Sequence, residues 1–351
     1  MWHVSVLILS LSSLVYGAPQ VPCYFIFGDS LYDNGNNHAL ITKAKTNYPP
    51  YGIDFPTGPV GRFTNGRNTA DILAELLGFE TYIPPFASAS GQAILKGVNY
   101  ASGAAGILDE TGQHLGARIS FNKQLINHQI TLSRIKIITA INQSAAVNLR
   151  ECLYTVGIGN NDYIGNYFSP FYPTRRIYTP EQYATVLVQQ YSLQLKTLHD
   201  SKARKVAVFG IGALGCTPAM ITMYGTNGSL CVDFINSAVQ LFNAKLVSLV
   251  DDFNNNLSNA KFIYINSYQI ALTPTPTTGL SITNIPCCNA TNKISFQCIP
   301  NQIPCSNRND HVFWDAVHPT EAADVVTTRR AYNALLLQDT RPYDIQTLAT
   351  S

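Results

Sequence analysis

The residues of this chain best suited to chemistry lie near its two ends. Ser30 follows a short apolar run, and near the other end Asp315 stands three residues before His318. A carboxylate at that spacing can hold one imidazole nitrogen while the other takes a proton from a serine hydroxyl. Pro319 can occupy the first turn of a helix, which would hold His318 at the helix mouth. The alternative is ordinary turn structure, since such residues also cap helices and close turns.

A serine that attacks a carbonyl group also needs hydrogen-bond donors for the oxyanion. Two segments rich in glycine and asparagine can supply them, Asn99–Gly106 and Gly157–Tyr163. A glycine offers its backbone N–H without crowding a substrate, and an asparagine offers a side-chain N–H. Each segment taken alone is better explained as a tight turn at the end of a strand. The prediction of a catalytic site therefore depends on all of these residues occurring together.

The two aspartates beside Ser30 and the other histidines are predicted to lie outside the catalytic set. Asp29 and Asp33 flank Ser30, and beside a turn they are expected to hold the backbone by hydrogen bonds. The remaining histidines have no comparable partner and are expected to be surface or core residues: His38, His114, His128, His199 and His311.

Short apolar runs rich in β-branched and aromatic residues predict buried strands. They are Cys23–Phe27, Val98–Tyr100, Cys152–Val156, Val206–Phe209 and Phe262–Ile265. Helix-length segments lie between and after them: Thr69–Leu77, Ile119–Ile141, Pro180–Asp200, Val232–Phe253, and Pro319 to about Leu337. This alternation predicts an α/β fold with a central parallel sheet of about five strands and helices on both faces. Ser30 then lies at the carboxyl end of the first strand, where such sheets bind ligands.

No charge run, low-complexity block or long Pro-Gly linker divides the chain, so a single domain over residues 19–351 is predicted. Two long segments rich in Pro, Gly, Asn and Cys interrupt the regular pattern, Lys45–Asn65 and Thr273–Arg308. Loops of this length are uncommon unless they are functional. We expect them to be insertions that wall a substrate cleft.

Composition and the N-terminus indicate the compartment. The chain is 46% hydrophobic and 13% charged with a net charge of +2, which argues against binding to nucleic acid or an anionic membrane surface. Val4–Val15 is an apolar run followed by Gly17 and Ala18, the pattern of a cleavable signal peptide over residues 1–18. The run is shorter than the roughly 20 apolar residues of a membrane anchor. A secreted, extracellular protein is therefore predicted.

Eight cysteines follow the predicted signal peptide, and an even number in an exported chain favours disulfides. We expect Cys216 to pair with Cys231, Cys23 to pair with Cys152, and two bridges to form within Cys287–Cys305. A zinc site is the rival interpretation of that last cluster, but its adjacent cysteines lack the usual C-x2-C spacing. Four sequons mark candidate glycosylation sites: Asn142, Asn227, Asn256 and Asn289.

Four of these segments, taken in order, resemble the plant-type GDSL esterase/lipase family of the SGNH hydrolases, from about Tyr24 to Leu337. Gly28–Asn37 resembles block I of that family, Gly103–Gly106 block II, Gly159–Asp162 block III, and Asp315–Pro319 block V. The resemblance implies a three-layer α/β/α sandwich.

The resemblance also implies roles for individual residues. Ser30 would be the nucleophile, His318 the general base and then acid, and Asp315 the residue that orients His318. The oxyanion donors would be the Ser30 N–H, a block II glycine and Asn161. Members of the family often carry two adjacent glycines in block II, whereas this chain has Gly103 followed by Ala104. The donor could therefore be Gly103 or Gly106, and Gly103 is favoured.

Two competing motifs are weaker. Gly210–Gly215 fits G-x-G-x-x-G and has Asp233 about 20 residues on, which would suit a dinucleotide. However, Cys216-Thr217-Pro218 interrupts the helix that should receive the pyrophosphate. The G-x-S-x-G elbow of α/β-hydrolases is absent around Ser30.

The combined prediction is a secreted serine esterase or lipase that cleaves carboxylic acyl esters through an acyl-enzyme. The expected substrate is a small-molecule or lipid acyl ester, and the protein is expected to be a monomer without integral membrane association. This chemistry requires neither a metal nor an organic cofactor. Two alternatives remain open: an acyltransferase that uses the same triad with a hydroxyl acceptor, and a non-catalytic secreted binding or defence protein on the same fold.

Overall fold

A central sheet of mainly parallel strands organises the protein. A computed structural model describes residues 18–141, 146–273, 279–290 and 296–351. Within these ranges the strands follow one another across the sheet in chain order; β1 to β4 are parallel and β5 is an antiparallel edge. The strands are β1 (Tyr24–Gly28), β2 (Leu153–Gly157), β3 (Lys205–Phe209), β4 (Lys261–Ile265) and β5 (Thr340–Arg341).

Helices connect and cover these strands. The α-helices of the described residues are α1 (Thr69–Leu76), α2 (Phe121–Ile141), α3 (Asn160–Asp162), α4 (Thr174–Ile177), α5 (Pro180–Asp200), α6 (Pro218–Tyr224), α7 (Asp233–Asn256), α8 (Ser267–Leu272), α9 (Glu321–Tyr332) and α10 (Ile345–Thr350). A π-helical turn, Tyr163–Tyr167, follows α3. Short 3-10 turns occupy Gly91–Lys96, Gln113–Leu115, Leu214–Cys216 and Arg308–Asp310.

The strands are apolar on both sides because helices cover both faces of the sheet. Residues such as Phe25, Phe27 and Tyr154 pack against α2, α5 and α7 on one face. Their neighbours in the sequence, such as Tyr24 and Ile26, pack against α1, α9 and α10 on the other. This is the three-layer α/β/α sandwich that the sequence predicts, with its two cores separated by the sheet.

One predicted strand is wrong and one observed strand was not predicted. Val98–Tyr100 lies parallel to β1, but only an isolated bridge between Asn99 and Ile26 forms there. Asn99 also bridges to Pro85 on its other side. Both bridges are isolated, and neither continues into a ladder. The fifth strand is β5, a two-residue segment paired with β4.

The last long helix is shorter than predicted. It begins at Glu321, because the Thr320 side chain caps it there by accepting a hydrogen bond from the Ala323 N–H. It ends at Tyr332. Pro319 therefore precedes the helix and does not occupy its first turn. His318 lies two residues before the cap, in a turn of its own.

The described residues contain four disulfides, and two of them, Cys23–Cys152 and Cys216–Cys231, are pairs that the sequence predicts. Cys23 bonds to Cys152 and joins the residues before β1 and β2, while Cys216 bonds to Cys231 around a short loop. Within Cys287–Cys305 the bonds are Cys287–Cys305 and Cys288–Cys298, so all four cysteines of this segment are in disulfides. Disulfides of this number fit an extracellular protein.

Several predictions concern residues outside the described ranges. The signal peptide and the Asn142 sequon are among them. The other sequon asparagines, Asn227, Asn256 and Asn289, are exposed. Across the described residues, no helix combines the length and the apolar character needed to cross a bilayer.

Candidate active site

Ser30 lies two residues after the end of β1, at the carboxyl edge of the sheet. The preceding Gly28 is closely packed, since a Cβ there would lie 2.6 Å from the carbonyl oxygen of Gly157 on β2. Gln124 of α2 binds both backbone groups of Gly28, donating to its oxygen at 2.8 Å and accepting from its nitrogen at 3.0 Å. The strand end is thus anchored by a neighbouring strand and a helix, which positions the serine rigidly.

His318 and Asp315 lie in a tight turn before α9. The Trp314 N–H donates to the His318 carbonyl at 2.8 Å, and Phe313 forms a bridge with Pro319. Inside the turn, Oδ1 of Asp315 accepts hydrogen bonds from the Val317 N–H at 2.9 Å and the His318 N–H at 2.7 Å. The spacing of three residues therefore closes the turn and aims the carboxylate at the imidazole at the same time.

The structure brings Ser30, His318 and Asp315 into one hydrogen-bonded chain. The Nε2 atom of His318 is 2.8 Å from the Ser30 Oγ, and its Nδ1 atom is 2.7 Å from Oδ2 of Asp315. Asp315 is fully buried and the other two are 8% exposed. The network indicates a neutral ring that donates from Nδ1 and accepts the serine proton at Nε2. Phe63 packs on the imidazole with ring centroids 4.9 Å apart.

The predicted oxyanion donors are placed differently. Asn161 lines the cavity beside Ser30 and donates one amide hydrogen to the Ala105 carbonyl at 3.0 Å. The second hydrogen of the same amide remains available to a ligand. The Gly103 N–H donates to Oδ2 of Asp33 at 2.9 Å and is directed away from the cavity. Gly106 packs against Thr111 and Asp162 and does not line the cavity either.

Within Gly103–Gly106, Ala104 is the residue that borders the cavity. It lines the cavity with Ser30, and its φ of +65° turns the backbone there into the left-handed region. Among the described residues, the N–H groups of Ser30 and Ala104 have no hydrogen-bond acceptor. The sequence could not show which of these N–H groups is free, because that depends on the hydrogen bond from the Gly103 N–H to Asp33.

Three buried aspartates, Asp29, Asp33 and Asp162, accept hydrogen bonds from backbone N–H groups of the loops around the cavity. Asp33 accepts from the N–H groups of Gly35 and Asn36 as well as Gly103, and burial raises its pKa to about 6. Burial raises the pKa of Asp162 to about 7, although hydrogen bonds from the Ile107 backbone and other groups lower it in part.

Asp29 accepts from Leu31 and Asn160, and burial raises its pKa to about 6 against the effect of these bonds. The expected structural roles of Asp29 and Asp33 agree with these contacts.

A cavity opens in front of Ser30 and has two largely apolar walls. One wall consists of Ala44, Phe63, Ala104 and Leu115, which pack on one another. The second wall packs against the main core and consists of Ile164, Leu214, Met223, Phe296 and Val317. Residues from both predicted insertions, among them Phe63 and Phe296, therefore line the cleft.

The remaining predicted features have other positions. His114 lines the cavity and stacks on Phe171 with centroids 4.9 Å apart, which its sequence context did not reveal. His128 is buried in the core. In the Gly210–Gly215 motif, a Cβ on the first glycine would contact Tyr264 and one on the last would contact the start of α7. These glycines therefore allow close packing, and a seven-residue helix beginning at Pro218 follows them.

Comparisons with known proteins agree with the family resemblance and with the α/β fold. The model of the GDSL-like lipase/acylhydrolase family matches residues 24–330. One Arabidopsis thaliana GDSL esterase/lipase is 51% identical over 337 residues, covering 95% of this chain and 93% of the relative. A second from that plant is 53% identical over 335 residues, covering 94% and 92%. This chain belongs to the GDSL-like lipase/acylhydrolase family.

Proposed function

We propose that the protein hydrolyses carboxylic acyl esters with Ser30 as nucleophile. His318 Nε2 takes the serine proton as Oγ attacks the ester carbonyl, and Asp315 stabilises the imidazolium that forms. The proton then passes to the leaving alcohol, and an acyl-enzyme remains on Ser30. Water, activated by the same imidazole, releases the acid. The observation that carries the proposal is the unbroken hydrogen-bonded chain from Ser30 to Asp315 at the edge of a cavity.

We assign the oxyanion to the N–H of Ser30, the N–H of Ala104 and the side-chain amide of Asn161. The support is that both backbone groups lack acceptors among the described residues and that all three residues line the same cavity. Ala104 replaces Gly103 in this assignment because the Gly103 N–H already donates to Asp33. Preorganised donors of this kind stabilise the charge that develops in the transition state.

The proposed substrate is a small-molecule or lipid ester with an apolar acyl chain. Aliphatic and aromatic side chains of both walls line the cavity beside the nucleophile. Apolar surface that a substrate removes from water contributes about 25 cal/mol per Å². Asp29, the carboxylate that lines this cavity among the described residues, is almost completely buried. We propose that the enzyme acts as a monomer on such esters.

The test uses p-nitrophenyl esters from acetyl to palmitoyl, with the parent protein and a Ser30→Ala variant. The parent is expected to release p-nitrophenol, and removal of the nucleophile should lower kcat by a factor on the order of 10⁶. An equally active Ser30→Ala protein would rule out the mechanism. The dependence of kcat/KM on acyl length then measures the capacity of the cavity.

The same assay with glycerol or a sugar present separates hydrolysis from transfer. If the acyl group goes mainly to the added hydroxyl compound, the triad serves an acyltransferase. If a folded parent protein releases nothing from any ester and acylates no acceptor, a non-catalytic binding role replaces the proposal.

We further propose that the protein is secreted after removal of residues 1–18. The support is the apolar run Val4–Val15, four disulfides, and exposed sequons at Asn227, Asn256 and Asn289. Mass spectrometry of protein from the culture medium of plant cells is expected to find an N-terminus near Pro19. Retention inside the cells with Met1 intact would contradict secretion.

A further inference from the structure

We propose that Tyr51 is a positioning residue of the triad, whose hydroxyl holds the catalytic carboxylate of Asp315 and limits how strongly it attracts the protonated His318. The inference rests on the triad proposed above. Tyr51 does not touch the cavity, and nothing in its sequence context signals this contact, because it lies 264 residues from Asp315.

The carboxylate oxygen that faces the histidine is shared between two donors. The Tyr51 hydroxyl lies 2.6 Å from Oδ2 of Asp315, and Nδ1 of His318 lies 2.7 Å from the same oxygen. Both Tyr51 and Asp315 are fully buried. With the two backbone donors on Oδ1, the carboxylate accepts four hydrogen bonds and has no need of water.

The direction of the tyrosine hydrogen bond follows from its second partner. The Cys298 N–H lies 3.0 Å from the Tyr51 hydroxyl oxygen, and a backbone N–H can only donate. The tyrosine oxygen is therefore the acceptor in that bond, and its own hydrogen is left for Asp315. An ionised carboxylate only accepts, and hydroxyl bonds to carboxylates are short, about 2.5–2.7 Å. Burial and the charge of Asp315 raise the pKa of Tyr51 well above its usual range, so the donor hydrogen is retained.

This donor has two effects on the triad. It fixes Oδ2 in the position from which it orients the imidazole, which favours productive transfer of the serine proton. It also satisfies part of the negative charge, so Asp315 stabilises the imidazolium less than a carboxylate without this bond would. Loss of the hydroxyl should slow the reaction, because Oδ2 no longer holds the imidazole in its productive orientation. It should also favour protonated His318 at higher pH, because the carboxylate then attracts the imidazolium more strongly.

Tyr51 is itself held by the two long loops. It belongs to Lys45–Asn65, whereas Cys298 belongs to Thr273–Arg308 and is bonded to Cys288. Tyr51 packs in a small cluster with Trp314 and the cysteines of that second loop. A hydrogen-bonded path therefore runs from a disulfide-linked residue through Tyr51 and Asp315 to His318.

Tyr48 provides a matched control. It lies edge-on to Tyr51 with ring centroids 5.4 Å apart, and its hydroxyl donates to the Cys298 carbonyl at 3.0 Å. Tyr48→Phe and Tyr51→Phe each remove one hydroxyl that is hydrogen-bonded to the backbone of Cys298. Only Tyr51→Phe removes a donor from Asp315.

The experiment compares the pH dependence of ester hydrolysis by these two variants and the parent. Tyr51→Phe is expected to lower kcat by about 10- to 100-fold with little change in KM, the size of a lost hydrogen bond to a charged group. The acidic limb of its kcat/KM profile should move to higher pH, by roughly half a unit or more. The other titratable groups that face the pair are Asp29 and Tyr48, and Asp29 is unchanged in both variants.

A second measurement does not depend on turnover. The Nδ1 proton that His318 shares with Asp315 is observable by proton NMR at low field, and Tyr51→Phe should shift its resonance while Tyr48→Phe leaves it in place. If Tyr51→Phe keeps the parent's kcat, acidic limb and resonance, or if Tyr48→Phe changes them as much, the inference is wrong. Asp315→Asn separates the two proposals, because an active Asp315→Asn enzyme would contradict the triad itself.

Discussion

At the level of single residues, the local motifs predicted the three side chains that form one hydrogen-bonded chain beside the cavity, but not the groups that position them. Ser30, Asp315 and His318 could be found because each lies in a short pattern whose spacing has a chemical meaning. Ala104 could not, because the direction of its N–H depends on the bond from Gly103 to Asp33, a residue of another motif.

Gly165 limits the shape of the cavity and provides a residue-level prediction. A Cβ there would lie 3.7 Å from the His114 ring and 3.9 Å from the Asn161 side chain, in ordinary contact, and its φ is not in the left-handed region. Gly165→Ala should therefore fold normally and narrow the cavity. We expect kcat/KM for long or bulky esters, relative to acetyl esters, to fall by about 10-fold or more.

The control is Gly212→Ala, since a Cβ at Gly212 meets nothing within 4 Å and this residue does not line the cavity. The ratio of bulky to small ester hydrolysis should stay at the parent value in this variant. An unchanged ratio in Gly165→Ala would show that substrates do not occupy the space beside His114.

At the level of elements, the sequence predicted those that repeat an apolar pattern over several residues. The first four strands and the helices α1, α5 and α7 have such patterns, and their predicted bounds lie within a few residues of those observed. β5 has two residues and so has no period to detect. Val98–Tyr100 has strand-like residues, but its pairing is determined by Ile26 and Pro85, which are distant in the sequence.

The packing of α2 on the sheet leads to a prediction about pH. His128 of α2 is fully buried among Phe25, Phe27, Tyr100 and Tyr154, and burial lowers its pKa to about 3. The unfolded chain binds a proton at this histidine below about pH 6.5 while the folded protein does not. The free energy of unfolding should therefore lose up to about 1.4 kcal/mol per pH unit from this group as pH falls from 6.5 towards 3.

Urea unfolding of the parent and His128→Gln at pH 7 and pH 5 measures this contribution. The variant should lose less stability between the two pH values, because its side chain stays neutral. Asp29 and Asp162, with raised pKa values, act in the opposite direction, but they are the same in both proteins and cancel in the comparison. Equal losses in parent and variant would mean that His128 is protonated in the folded protein.

At the level of the whole molecule, the disulfide at the start of the sheet and a disulfide within the second long loop have different expected roles. Cys23–Cys152 closes a loop of 129 residues and lies at the start of the sheet, away from the active site. Cys288–Cys298 closes only 10 residues but contains the N–H that binds Tyr51. Stability and activity should therefore respond to different bridges.

Two double variants test this separation. Cys23→Ala with Cys152→Ala should lower the free energy of unfolding by about 5 kcal/mol and leave kcat near the parent value at temperatures where it is folded. Cys288→Ala with Cys298→Ala should cost about 3 kcal/mol but reduce kcat more strongly. Urea unfolding and ester hydrolysis measure the two quantities. A larger loss of kcat in the first variant would contradict the assigned roles.

The proposed nucleophile and its proposed base are also synthesised at different times. Ser30 and His318 are 288 residues apart, so the serine is synthesised long before the histidine. At 5–20 residues per second, roughly 15 to 60 s separate the two. During that time the growing chain carries a serine with no base to activate it. Under the proposed mechanism, ester cleavage can begin only after His318 has left the ribosome and folded against Ser30.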